Sequence, residues 1–253
     1  MKQMYHIGLD DTHKAKYALL PGDPGRVEKI AGYLESAQFY HQNREYTTWL
    51  GELDGEKVLV MSTGMGGPSA AIAVEELYAT GVRTFIRIGT CGGMASEVMG
   101  GDLVIATGAV RMEGTSKEYV PVEFPAVGNF EVVSALVNAA KITGTRWHTG
   151  VVQCKDSFYG QHNPARMPIG YELENKWKAW IKAGCLASEM ESAAVYIAAQ
   201  VLGARAGCIL HTLWNQEREK QGYSNPYVPD ESGAIQTAVE AVRQLIGEEK
   251  IKR

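Results

Sequence analysis

The sequence predicts an α/β layered fold, and three observations carry that expectation. Short apolar runs alternate along the chain with helical stretches. Several runs place Val and Ile on consecutive positions, as in Val104-Ile105 and Val151-Val152, which suits strands buried on both faces of a sheet with helices outside. No linker, repeat or low-complexity segment divides the 253 residues, so one domain over 1–253 is expected, large enough to bury a sizeable core. The alternation argues for layers and leaves the strand order open.

The elements follow in order. A strand at 17–20 runs into Pro21-Gly22-Asp23-Pro24-Gly25-Arg26 and then a helix at 27–34. Two prolines and two glycines force a rigid turn there. Gly22 lets backbone N–H groups approach an anion and Arg26 supplies charge. Such turns are common, and alone this one reads first as a tight connection with a surface arginine. Asn43-Arg44-Glu45 precedes a strand at 46–53, where Arg44 by itself is a surface charge. Asp54-Gly55 signals a hairpin into a strand at 57–62. Ser62-Thr63-Gly64-Met65-Gly66-Gly67-Pro68-Ser69 leads to a helix at 69–80. It has Ser69 where a dinucleotide fingerprint needs glycine, and no Walker lysine-serine pair, so no nicotinamide or flavin is expected.

A strand at 83–89 ends in Arg87-Ile88-Gly89-Thr90-Cys91-Gly92-Gly93. A guanidinium closing an apolar run is rarely buried without an anion. Thr90 adds a hydroxyl and the glycines leave room for a ligand, so binding outweighs a purely structural turn. Strands at 102–109 and 150–155 flank a helix at 130–143. Phe158-Tyr159-Gly160-Gln161-His162 then offers an aromatic surface and an amide that both donates and accepts, which suits a base edge. A packed aromatic loop accounts for that pattern equally.

A helix at 172–183 precedes a strand at 184–188 and a helix at 191–202. Glu189 and Glu191 are the only charges between Cys185 and Ala199. Burying an unpaired carboxylate is costly. Ser188 and Ser192 supply hydrogen bonds but no positive charge. Either a lysine or arginine reaches in, or the site is an open pocket for a hydroxylated ligand. Two carboxylates around Met190 suit a sugar's vicinal diol. A strand at 204–213 and a helix at 232–246 complete the chain. The long irregular stretches 110–129, 156–171 and 214–231 are of the kind that carries function. The last reads equally as a lid or as a solvated surface segment.

Hydrophobic content of 45%, charged content of 21% and a net charge of −4 are globular values that argue against a nucleic-acid partner, though not against a pocket for one small anion. Cysteines at 91, 154, 185 and 208 have no CxxC spacing and read as reduced core thiols. The segment from Met1 to His6 has no apolar signal character, and no apolar run approaches membrane-spanning length. A soluble, cytoplasmic protein without a membrane partner is expected. Six histidines lack HExxH spacing and there is no GxSxG elbow, so metal or serine hydrolysis is unsupported.

Together PGDPGR, NREYTTW, STGMGGPS, RIGT, EFPAV at 123–127, FYGQ and EMES, in this order, resemble the nucleoside phosphorylase family on the side of its uridine-cleaving members. The resemblance runs from His6-Ile7-Gly8-Leu9 to the last helix. It implies a three-layer α/β/α sandwich around a mixed, partly barrelled sheet, and reversible phosphorolysis of uridine to uracil and ribose 1-phosphate. It implies phosphate, the co-substrate, on Gly22, Arg26, Arg87 and Thr90, with Arg44 from a neighbouring subunit. Glu189, Met190 and Glu191 would hold ribose, with His6 crossing from the partner to the 5′-hydroxyl. Phe158 and Gln161 would hold the base. Arg87, Glu191 and Gln161 would be the catalytic residues.

The resemblance also implies a homohexamer of dimers with shared sites and no organic cofactor. Glu45, Met65 and Ser69 match positions around a monovalent cation, which extends the expectation to potassium. The chain departs from the family at three places. Cys91 replaces a threonine beside the base. Asn163 stands where an arginine is usual, so Arg166 is expected to take the uracil carbonyl. Arg218 is displaced by two positions behind Asn215-Gln216. A purine phosphorylase would carry a serine-aspartate pair where this chain has Trp214-Asn215. A non-catalytic nucleoside-binding protein would not need the phosphate residues, nor would a nucleosidase. Uridine, thymidine and deoxyuridine are not distinguished.

Overall fold

A computed structural model of the chain describes residues 3–252. Its strands are β1 (Tyr17–Pro21), β2 (Glu35–Asn43), β3 (Tyr46–Leu53), β4 (Glu56–Met61), β5 (Thr84–Gly93), β6 (Leu103–Arg111), β7 (Ala126–Val127), β8 (Trp147–Cys154), β9 (Ala187–Glu189) and β10 (Arg205–Asn215). Its α-helices are α1 (Val27–Ala31), α2 (Gly67–Ala79), α3 (Thr115–Tyr119), α4 (Phe130–Thr143), α5 (Phe158–His162), α6 (Gly170–Lys182), α7 (Ser192–Val201), α8 (Gln216–Lys220) and α9 (Ser232–Lys252).

Five strands close on themselves. β5 pairs in parallel with β10, β10 antiparallel with β6, β6 in parallel with β8, and β8 in parallel with β9, which returns antiparallel to β5. From β5 the sheet continues outward as β1, β4, β3 and β2. Successive strand residues point to opposite faces. Ala18 and Leu20 join a core with Ala70, Val74 and Leu77 of α2 and Ala193 and Ile197 of α7. Tyr17 and Leu19 join a second core with Val27 and Ile30 of α1, Leu136 of α4 and Leu245 of α9. Both faces are covered, which is why these strands read as unbroken apolar runs. The expected three-layer sandwich around a partly barrelled mixed sheet is the fold observed.

Local chemistry fixes several junctions. Asp54 and Gly55 take φ of 49° and 80°, the two left-handed positions of the expected hairpin turn between β3 and β4. A Cβ on Gly207 in β10 would lie 2.5 Å from Val132 Cγ1, so α4 rests directly on that strand's backbone. His13 is buried, and its Nδ1 accepts from Ala15 N–H at 2.9 Å. No helix among the described residues is long and apolar enough to cross a membrane. All four cysteines are free and buried.

The structure also differs from the sequence expectations. β2 lies where no strand was expected; most of its residues are solvent-exposed, so it lacks the apolar alternation that marks a strand. β9 is shorter than 184–188, because Gly184 leaves α6 in the left-handed region at φ 86° and pairing starts only at Ala187. The three long loops contain α3 and β7, α5, and α8. The first is ordered by buried Arg111, which donates to Ser116 Oγ at 2.9 Å and to the carbonyls of Val120, Pro121 and Phe124.

Candidate active site

The carboxyl ends of β1, β5, β8 and β10, with β9, surround one cavity of about 950 Å³. Gly22, Arg26, Arg87, Thr90, Cys91, Phe158, Gln161, Glu189, Met190 and Glu191 all line it. The sequence-predicted residues outside it are His6, Arg44, Arg166, Arg218, Glu45 and Ser69, while Met65 reaches its rim.

At one end two guanidinium groups converge. A Cβ on Gly22 would lie 3.6 Å from Arg26 Nη2 and 3.9 Å from Arg87 Nη1, so the absent side chain leaves backbone and cations facing one space. Arg87 Nε and Nη1 are buried without a hydrogen-bond partner. Unpaired buried donors on a cation make this a place for an anion. Arg26 is held by Glu231, another residue of the cavity wall, its Nη1 donating to Glu231 Oε2 at 2.8 Å.

The two glutamates answer the question the sequence left open. Arg87 Nη2 donates to Glu191 Oε2, and Arg87 Nε lies 3.6 Å from Glu189 Oε2. Thus an arginine does reach in, and the pocket is open as well. Glu189 also accepts from the N–H groups of Glu191 at 2.8 Å and Ser192 at 2.9 Å, two donors at the start of α7 that have no partner within the helix. Glu191 Oε1 accepts from Gly66 N–H at 2.6 Å. The STGMGGPS turn therefore braces a carboxylate, and Pro68 starts α2 behind it. Burial pushes the Glu191 carboxyl above its usual range, Arg87 pulls it back, and Glu189 pushes it up again.

The other end carries Phe158, whose ring lies 4.2 Å from that of His162, and Gln161, whose Oε1 accepts from Ser188 Oγ at 2.6 Å. Ser188 also reaches Gln153 Oε1, so its single proton serves one amide at a time. Lys155, which sequence reasoning missed, donates from Nζ to Ser188 Oγ at 2.7 Å and lines the cavity. It closes the apolar run of β8 as Arg87 closes that of β5, and that parallel was the available signal. Burial pulls the Lys155 ammonium below its usual range, with Glu189 opposing the shift. Burial and nearby Lys155 likewise lower His162. Burial pushes the Cys91 thiol up to about 12, so it faces the cavity as a neutral group.

Two residues expected at the base lie outside the cavity in this structure. Arg166 follows the turn at Pro164, is exposed, and lies over the Tyr159 ring at 5.1 Å instead of entering the cavity. Arg218 donates from Nε to Ser224 O at 2.7 Å and from Nη1 to the carbonyl of Ser96, which ties the segment after α8 to the β5–β6 connection. Lys155 is the cation at this end. Asn215 is fully engaged: Nδ2 donates to Ala95 O and Val98 O, both at 2.8 Å, and Oδ1 caps α8.

His6 and Arg44 share a different surface. His6 Nδ1 lies 2.6 Å from Glu76 Oε1, and Tyr5 sits edge-on to His6 and under Arg44. Beside them Ser69 Oγ donates to Glu45 Oε1 at 3.0 Å, and Met65 is 85% exposed. Glu45 forms no ion pair among the described residues. A carboxylate and a hydroxyl suit a hard cation, whereas the Met65 thioether does not.

A protein-family model described as the phosphorylase superfamily matches residues 16–246. The chain is 53% identical to the uridine phosphorylase of Treponema pallidum over 96% of its own length and 94% of that protein. It is 40% identical to the uridine phosphorylase of Escherichia coli, over 96% and 98% of the two chains. The guanosine phosphorylase of Halorubrum lacusprofundi is 41% identical over 83% and 82%. A family-model match over residues 16–246, with relatives at 40–53% identity along nearly the whole chain, makes this chain a member of the phosphorylase superfamily.

Proposed function

We propose that this chain catalyses the reversible phosphorolysis of uridine to uracil and ribose 1-phosphate. One observation carries the reading: a single cavity holds converging guanidinium groups, buried carboxylates and an aromatic-amide loop, in the order phosphate, ribose and base require. Arg26, Arg87, Gly22 and Thr90 take phosphate and aim it at C1′, a positioning effect. Glu189, Met190 and Glu191 take the ribose hydroxyls, and their charge offsets the positive ring that develops as the glycosidic bond breaks. The bonding electrons leave with uracil. Gln161 donates to its carbonyl edge, Lys155 supplies positive charge there, and Phe158 stacks on the ring.

The close uridine phosphorylase relatives support the substrate. Phosphate is the co-substrate, and the reading needs no organic cofactor. His6 and Arg44 complete the site of a neighbouring copy, which is why they lie together on another surface, and a hexamer of such dimers is the assembly proposed. Potassium on Glu45 and Ser69, with ligands from both copies, belongs to the same interface. Four buried free thiols suit the cytoplasm.

The test is uracil release from uridine with and without phosphate. Strict phosphate dependence is expected, with kcat/KM reduced about 100-fold or more by Arg87→Ala or Glu191→Ala. Near-native turnover in either variant sinks the assignment. A purine reading has support in the guanosine phosphorylase relative and in a second cavity of about 640 Å³ behind Gln161, lined by Trp177 and Trp180. Against it, Asn215 stands where purine chemistry wants an acid and is already fully bonded. Faster phosphorolysis of inosine or guanosine than of uridine decides for purine.

A further inference from the structure

Glu231 puts a carboxylate inside a pocket otherwise built for an anion. It stands just before α9, at the end of the segment that follows α8. Its Oε2 accepts from Arg26 Nη1 at 2.8 Å, and its side chain is only 9% exposed. Among the described residues its Oε1 has no hydrogen-bond partner, and Glu231 lines the same cavity as Gly22, Arg26 and Arg87. The donors that converge over Gly22 therefore share their space with an unused acceptor.

Asp23 and Glu219 line the cavity too, but both are exposed and neither pairs with Arg26 among the described residues. Asp23 accepts from Gly25 N–H at 2.8 Å, and Glu191 is taken by Arg87 and by Gly66 N–H. An ionised carboxylate accepts hydrogen bonds and donates none. Against an oxyanion that carries a proton, Glu231 completes the hydrogen bonding. Against one without a proton, it is repulsive, which is discrimination by an unfavourable contact. At neutral pH phosphate and arsenate carry protons, and sulfate of nearly the same size and shape carries none.

We propose that Glu231 is a specificity-determining residue of the anion cradle: it holds Arg26 with one oxygen and with the other accepts the proton of phosphate, so that sulfate is rejected. This rests on the phosphorylase reading for the identity of the subsite. Glu231→Gln is the informative variant. Its amide oxygen still accepts from Arg26, while its NH₂ offers a donor where the carboxylate offered an acceptor.

Calorimetric titration of the intact protein with phosphate, arsenate and sulfate at constant ionic strength reads this directly. The native protein is expected to bind phosphate and arsenate about tenfold or more tightly than sulfate. In Glu231→Gln that ratio collapses to about threefold or less, with phosphate weaker and sulfate tighter. A native protein that binds sulfate as well as phosphate overturns the proposal, whether or not the variant folds. A folded variant that keeps the native ratio overturns it too. If the anion ranking holds but no uracil is released from uridine, the phosphorylase reading fails and the selectivity stands.

Discussion

Arg87 divides its donors between two tasks. Nη2 and Nε face Glu191 and Glu189, and Nη1 faces the space over Gly22. Removing it strands two buried carboxylates, so Arg87→Ala is expected to cost about 3 kcal/mol or more of stability in urea unfolding, besides its effect on turnover. Lys155→Met tests the base end separately. It is expected to lower kcat about 100-fold while leaving the KM for phosphate near native, because Lys155 bonds Ser188, which in turn bonds Gln161, and does not touch Arg26 or Arg87. His13 makes a prediction away from the site. Burial lowers its proton affinity in the folded state, and Nδ1 is already used as an acceptor. A depressed histidine stabilises the fold above its unfolded value. That contribution is lost as pH falls below about 6.5, where the unfolded chain takes up the proton first. Melting temperature followed from pH 7.5 to 5.5, approximately, should fall less steeply in His13→Gln than in the native chain. Much of the site was legible because charges in apolar runs are conspicuous, as at Arg87, Glu189 and Glu191. Lys155 gave the same signal and went unread. Glu231 gave none, for it sits in a polar stretch and its burial comes from Arg26, far away in sequence.

At the level of elements, close approaches decide stability. α4 lies on β10 through Gly207, where an added Cβ would meet the stiff branched side chain of Val132. Gly207→Ala is therefore expected to destabilise by about 1–3 kcal/mol, read as a lower melting temperature with unchanged far-ultraviolet dichroism. β1 and the inner half of β4 were readable because they are apolar and buried on both faces, whereas β8 is partly open to solvent, with Val151 exposed. Closure of the barrel was not readable from periodicity. It depends on β9, three residues long, pairing with both β5 and β8, and no local pattern encodes which strand a short segment will join. β2 was missed for the opposite reason, since its polar faces look like loop.

For the whole molecule, the separation of His6 and Arg44 from the cavity is the feature with the most direct test. If each site is completed by a neighbour, Arg44→Ala and Arg87→Ala chains are both weak alone but complement one another. Random re-association of equal amounts pairs half the dimers as hybrids. Each hybrid has one intact and one doubly damaged site, so about a quarter of native activity should return. No recovery above the two variants alone excludes sharing. The barrel carries a consequence of another kind. By closing through β9 it hides strand edges that would otherwise recruit other chains. The sheet's open extension still ends at β2, but β2 meets β3 with two register breaks, between Glu35 and Gln38 and between Phe39 and His41. A bulged, polar border is a poor template for strand addition. The molecule thus discourages fibrous aggregation by geometry on one side and by irregularity on the other, so the proposed assembly of copies falls to its helical and loop surfaces.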